Sequence, residues 1–201
     1  MEKFAKIIST LFHPLLMPTF GVLLMLNTDT YLSFFPIEAK LIIYLIVFAG
    51  TFLLPLLLLP FFLYRKYIKK ITMDTRKERI APLIITIASY YFTYYVIKQL
   101  PLPLIFNKFL LATTISVALT LIITLYWKIS AHMIGIGGMI GLIVGLALKF
   151  SVDFRFILMI LLLIAGLIGT SRLYLKSHNS LQVYSGFFIG ILIIGGFMIF
   201  L

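Results

Sequence analysis

Leu41 to Tyr64 reads LIIYLIVFAGTFLLPLLLLPFFLY, an unbroken stretch without one charged side chain. The hydrocarbon core of a bilayer is ~30 Å thick and an α-helix rises ~1.5 Å per residue, so ~20 apolar residues cross it. This stretch is long enough, and it lacks the apolar–polar alternation of a barrel strand. Outward from it, six more stretches of the same kind occupy 7–28, 80–97, 109–127, 131–148, 154–171 and 181–201. The first carries Pro14 and Pro18 and no small-residue cleavage site before Asn27, so it reads as a span and not as a cleaved leader. The expected fold class is all-α, a polytopic membrane helix bundle of about six to seven transmembrane helices in a single membrane domain over residues 1–201.

Composition supports the same class. Of 201 residues, 62% are hydrophobic and 11% charged, against ~25% charged in an ordinary soluble domain. A soluble globular enzyme could not cover its surface with so few polar residues, and a disordered chain would not be this apolar. The absence of cysteine excludes disulfides, thiolate metal sites and a cysteine nucleophile. The formal charge of +11 points, in so apolar a chain, to anionic headgroups, phosphate-bearing substrates and membrane orientation. No histidine pair has ligand spacing and no acidic cluster could hold magnesium, so neither a metal nor another cofactor is expected. Nucleic acid is not an expected partner either, because the aromatic residues lie in the spans and not among the basic ones.

Counting crossings places the connections after the second, fourth and sixth spans on the side of the N-terminus. These contain Arg65, Lys66, Lys69, Lys70, Arg76, Lys77, Arg79, Lys128, Arg172 and Lys176, with His132 and His178 at their borders. The connections at 28–40, 98–108 and 149–153 carry Pro36, Pro101 and Pro103 and little chemistry. One polar site at one membrane face, formed by 65–82, 128–132 and 171–182, is therefore expected.

The three clusters are Lys69 to Pro82 (KKITMDTRKERIAP); Lys128-Ile129-Ser130-Ala131-His132; and Ser171-Arg172, with His178 six residues beyond Arg172 and Gln182 four beyond His178. In order and spacing this resembles the type 2 phosphatidic acid phosphatase superfamily of membrane lipid phosphatases. Its motifs are a Lys, six residues and Arg-Pro; Pro-Ser-Gly-His; and Ser-Arg, five residues, His, three residues and Asp. The third motif keeps Ser171, Arg172 and His178 in register, and the second keeps Ser130 and His132. The first is divergent: Lys69 stands seven before Arg76 with no Pro following, whereas Arg79 lies three before Pro82 with Thr72 at the lysine position. Gln182 replaces the aspartate of the third motif.

The resemblance implies His178 as the nucleophile, through a phosphohistidine, and His132 as the general acid, with Gln182 beside His178 in the catalytic set. It implies Arg172, Arg79 or Arg76, Lys69, Ser130 and Ser171 as substrate-binding residues. On chemical grounds, phosphoryl transfer needs cations on the equatorial oxygens, an in-line nucleophile and an acid for the departing oxygen. Arginine offers a planar fork to two oxygens, and imidazole takes either protonation state near neutral pH. In a helix Gln182 shares a face with His178 and can orient its ring, but a neutral amide cannot stabilise an imidazolium as a carboxylate does.

Other polar residues have plainer readings. His13, followed by Pro14, reads as a packed or kink-associated histidine; Lys69 and Lys70 also suit anionic headgroups. Asp74 and Glu78 are spaced to balance Arg76, Lys77 or Arg79. Gly137, Gly141 and Gly145 lie within a span at small-xxx-small spacing and read as helix packing. The expected function is a metal-independent hydrolase of a lipid phosphate or diphosphate: polyprenyl diphosphate first, then phosphatidylglycerol phosphate or phosphatidic acid. The alternative is a catalytically impaired relative that binds anionic lipid or a membrane partner. No oligomeric state can be read. A multi-pass protein of the plasma (inner) membrane is expected. The motif side holds 12 Lys and Arg against Lys40, Lys98, Lys108, Lys149 and Arg155 on the other, which leans the site toward the cytoplasm.

Overall fold

The computed structural model describes residues 1–68, 73 and 75–200. Among these residues the regular structure is helical: α1 Glu2–Leu11, α2 Met17–Asn27, α3 Ile37–Phe48, α4 Leu54–Tyr64, α5 Arg76–Lys98, α6 Leu104–Tyr126, α7 Ala131–Phe150, α8 Arg155–Tyr174 and α9 Ser180–Phe200. A π-helical turn at Ala49–Leu53 joins α3 to α4 without a break. The result is seven helical stretches long and apolar enough to cross a bilayer: 2–27, 37–64, 76–98, 104–126, 131–150, 155–174 and 180–200. This bears out the polytopic all-α reading, with ends shifted by up to a helical turn and a half because the polar first turns of α5 and α6 are helical too.

Local chemistry sets the ends. Thr75 caps α5 reciprocally with Glu78, satisfying two amides that would otherwise lack partners. Pro36 and Pro103 stand just before α3 and α6, where a missing N–H costs nothing. The first span is interrupted: α1 ends at Leu11, His13 caps a 3-10 turn at Pro14–Leu16, and α2 follows. Pro14 and Pro18 cannot donate the amides that would carry one helix through.

The most buried helix is α7, and its main partner is α9. Glycine makes that approach possible: a Cβ on Gly141 would lie 2.7 Å from both the Gly195 nitrogen and the Ile191 carbonyl oxygen, and one on Gly190 would overlap the Ile134 carbonyl. The glycines of α7 therefore serve helix packing, as their spacing predicts. Around this pair α2, α6 and α8 complete the core through Met25, Phe106, Phe109 and Ile168, which with Ile143 and Leu146 of α7 are each below 2% exposed. On the outside Leu45, Leu57, Leu163 and Leu192 are 67–72% exposed, the surface of a helix bundle whose solvent is lipid.

Candidate phosphate site at one end of the bundle

Three helices begin at the same end, α5 at Arg76, α7 at Ala131 and α9 at Ser180, and their unpaired first-turn amides give that end positive partial charge. The Ser130 amide donates to the Gln182 carbonyl at 3.4 Å, tying the starts of α7 and α9 together. Arg79 reaches across from α5: its Nε donates to the Met73 carbonyl at 3.1 Å and its Nη1 to the Ile129 carbonyl at 3.4 Å. The clusters at 65–82, 128–132 and 171–182 thus converge through contacts made by their described residues.

His178 is 7% exposed, in the turn between α8 and α9. Gln182 Oε1 lies 3.0 Å from His178 Nδ1 and also accepts from the Asn179 amide at 3.3 Å, while Asn179 Oδ1 accepts from the Gln182 amide at 2.9 Å. This is a capping box at the start of α9. An amide oxygen only accepts, so the neutral His178 ring carries its proton on Nδ1 and presents the Nε2 lone pair. Gln182 thereby fixes the tautomer that an attacking imidazole needs. Burial pushes the His178 imidazole down to about 3; repulsion from Arg79 adds to this, Gln182 opposes it, and Arg172 and Lys128 contribute further repulsion. The ring is neutral at pH 7.

Arg172, at the end of α8, donates from Nη1 to Ser9 Oγ at 3.4 Å, and its Nε is buried with no partner. Ser130 is 0% exposed and its Oγ also lacks a partner. Arg172 feels the charge of Arg79 and is felt by His178, and the Ser130 amide is bonded to the Gln182 that holds His178, so both unpartnered atoms lie at the end of the bundle that carries His178, where an anionic oxygen would complete them. Ser171, by contrast, is 5% exposed and donates its hydroxyl to the Leu167 carbonyl at 2.7 Å in its own helix.

His132 sits in the first turn of α7 with Nε2 at 3.0 Å from the Ser9 carbonyl. The His13 ring stands edge-on to it, with centroids 5.7 Å apart and planes at 76°. His13 and Ser9 are the residues that sequence reading did not place in the site. A lone histidine in an apolar run has no spacing to flag it, and Ser9 acts partly through its backbone. Between the two candidate arginines of the first cluster, Arg79 lies beside Arg172 and His178, whereas Arg76 is exposed and donates to the Tyr126 carbonyl. Lys69, Lys70, Thr72 and Asp74 lie outside the described residues. Among the described residues no three His, Cys, Asp or Glu side chains converge to hold a metal ion.

Beneath this end a cavity of about 100 Å³ runs into the bundle between α2, α5, α6 and α7, smaller than the ~300–1,000 Å³ of a whole ligand pocket. Ala131, Pro14 and Leu15 line it near the polar cluster, and Phe109 and Ile194 line it deeper. Of the hydroxyl-bearing residues that line it, Thr86, Thr113, Ser116 and Thr120 each donate to a carbonyl of their own helix at 2.7–2.9 Å, and Tyr90 is the fifth. With those four donors used, the wall is mostly apolar. Compared with family models, curated proteins and solved structures, the chain matches none of them.

Proposed function

We propose that the protein is a membrane phosphatase that hydrolyses a lipid phosphate or diphosphate at headgroup level through a phosphohistidine on His178. One observation carries this reading: Arg172 Nε and Ser130 Oγ are buried without partners at the same end of the bundle as a histidine whose Gln182 contact leaves Nε2 as its nucleophilic nitrogen. The phosphate oxygens supply the missing acceptors. His178 Nε2 attacks phosphorus, the P–O bond to the lipid breaks, and the departing oxygen takes a proton from His132. Water then attacks the phosphohistidine, the P–N bond breaks, and His132 takes up the proton that water loses. The net reaction consumes one water and releases lipid alcohol, or the lipid monophosphate, and inorganic phosphate.

The mostly apolar lining of the cavity below the cluster supports a lipid tail entering the bundle; we rank polyprenyl diphosphate first, ahead of phosphatidylglycerol phosphate or phosphatidic acid. The neutral amide of Gln182 favours a second reading, a relative that binds such a lipid without turning it over.

Phosphate release from farnesyl diphosphate and from phosphatidic acid by purified protein in detergent tests these readings. The expected result is release from the prenyl substrate in excess of the glycerolipid, lost in His178→Ala. Binding of farnesyl diphosphate without release by wild-type protein would establish the second reading instead.

A further inference from the structure

The break in the first span brings two groups onto His132, and both come from a segment that none of the three sequence clusters contains. The Ser9 carbonyl faces His132 Nε2 at 3.0 Å, and the edge of the His13 ring closes against the same imidazole. His13 is itself held: its Nδ1 accepts from the Leu15 amide at 3.3 Å as the cap of the Pro14–Leu16 turn. An accepting Nδ1 places the His13 proton on Nε2. The segment also reaches Arg172, whose Nη1 donates to Ser9 Oγ. Ser9 therefore touches the proposed acid through its carbonyl and the proposed phosphate-binding arginine through its hydroxyl.

We infer that the Ser9–His13 break is the positioning element of the proton donor, with His13 a positioning residue that acts through His132. A carbonyl accepting from Nε2 leaves Nδ1 of His132 as the nitrogen that loads and delivers the proton to the departing oxygen. The His13 ring packs against the same imidazole and restricts the rotation that would take Nε2 off the carbonyl. Proton delivery follows this order: His132 Nδ1–H goes to the lipid oxygen as the P–O bond breaks, and Nδ1 regains a proton from the water that cleaves the phosphohistidine. Neither Ser9 nor His13 exchanges a proton in the cycle.

The inference rests on the phosphatase reading, so its test compares leaving groups in an enzyme whose wild-type turnover is measured first. An alkyl or prenyl oxygen must be protonated as it departs, whereas p-nitrophenolate needs no proton, so loss of an aligned acid slows the first and spares the second. His13→Ala is expected to lower kcat on farnesyl monophosphate at least tenfold and to leave kcat on p-nitrophenyl phosphate within twofold. His13→Asn keeps an acceptor for the Leu15 amide but lacks the ring, and it is expected to match His13→Ala. Full activity of His13→Asn on farnesyl monophosphate would overturn the inference, because capping the turn would then be enough. Equal loss on both substrates in both variants would overturn it as well, since the effect would be one of folding. Wild-type protein that releases phosphate from neither substrate fails the phosphatase reading itself, a result distinct from either.

Discussion

At the residue scale, the balance at His178 is between burial, which favours the neutral ring, and Gln182, which holds its tautomer without adding charge. The pH consequence has a definite sign. An unfolded histidine titrates near ~6.5 and the folded one near 3, so between those values the unfolded chain binds the extra proton and stability falls as pH falls. From pH 6.5 to 5 the penalty grows by about 1.7 kcal/mol, the slope approaching ~1.4 kcal/mol per unit as the unfolded histidine becomes fully protonated. Wild-type protein in detergent should lose that much more stability over this interval than His178→Asn, as measured by denaturation at the two pH values. Gln182→Glu should shrink the loss, because a carboxylate stabilises the imidazolium. Gln182→Leu removes half of the capping box and should cost about 1 kcal/mol at any pH while lowering phosphate release at least tenfold through loss of the fixed tautomer. The sequence shows the His178 and Gln182 pair through its i, i+4 spacing, whereas the cap that Asn179 adds is seen in the structure alone. It does not choose between Arg76 and Arg79: both fit a divergent motif, and the outcome depends on one reaching the Tyr126 carbonyl and the other the Ile129 carbonyl across a tertiary contact.

At the element scale, the seven spans are legible because lipid imposes one rule on every one of them: backbone amides must be satisfied within the segment, and ~20 apolar residues must follow one another. The break between α1 and α2 is less legible. Pro14 and Pro18 mark that region as non-ideal, but only packing decides that its backbone turns toward α7. The α7–α9 contact sets how accurately the two helix starts meet at the site, and glycines set that contact. Gly190→Ala should drive a methyl into the Ile134 carbonyl and lower the melting temperature markedly, with loss of phosphate release in parallel. Gly196→Ala, on the same helix with nothing within 4 Å of the added carbon, should be neutral or raise stability by up to about 1 kcal/mol, from helix propensity. Thermal denaturation of the two variants side by side distinguishes a packing role from a general intolerance of α9 to substitution.

At the scale of the whole molecule, the positive-inside bias and the contact-defined site concern the same end, so topology can be read on a single helix. Lys77 and Gln99 are exposed at opposite ends of α5, and the chain has no native cysteine. With the site facing the cytoplasm, Gln99→Cys should react with an impermeant maleimide on intact cells and Lys77→Cys only after permeabilisation; the reverse pattern would place the site outside. The clustering of Ser9, Arg79, Ser130, His132, Arg172 and His178 at one end has a consequence for bookkeeping between leaflets. An enzyme with chemistry at one mouth reads only the monolayer that mouth faces, and a charged headgroup does not cross hydrocarbon unaided. In sealed vesicles carrying the protein in a single orientation, phosphate release should stop near half of the lipid phosphate and resume when a pore or detergent lets the layers mix. The bundle would then act as a sensor of transbilayer asymmetry, its rate set by how fast the opposite monolayer is resupplied.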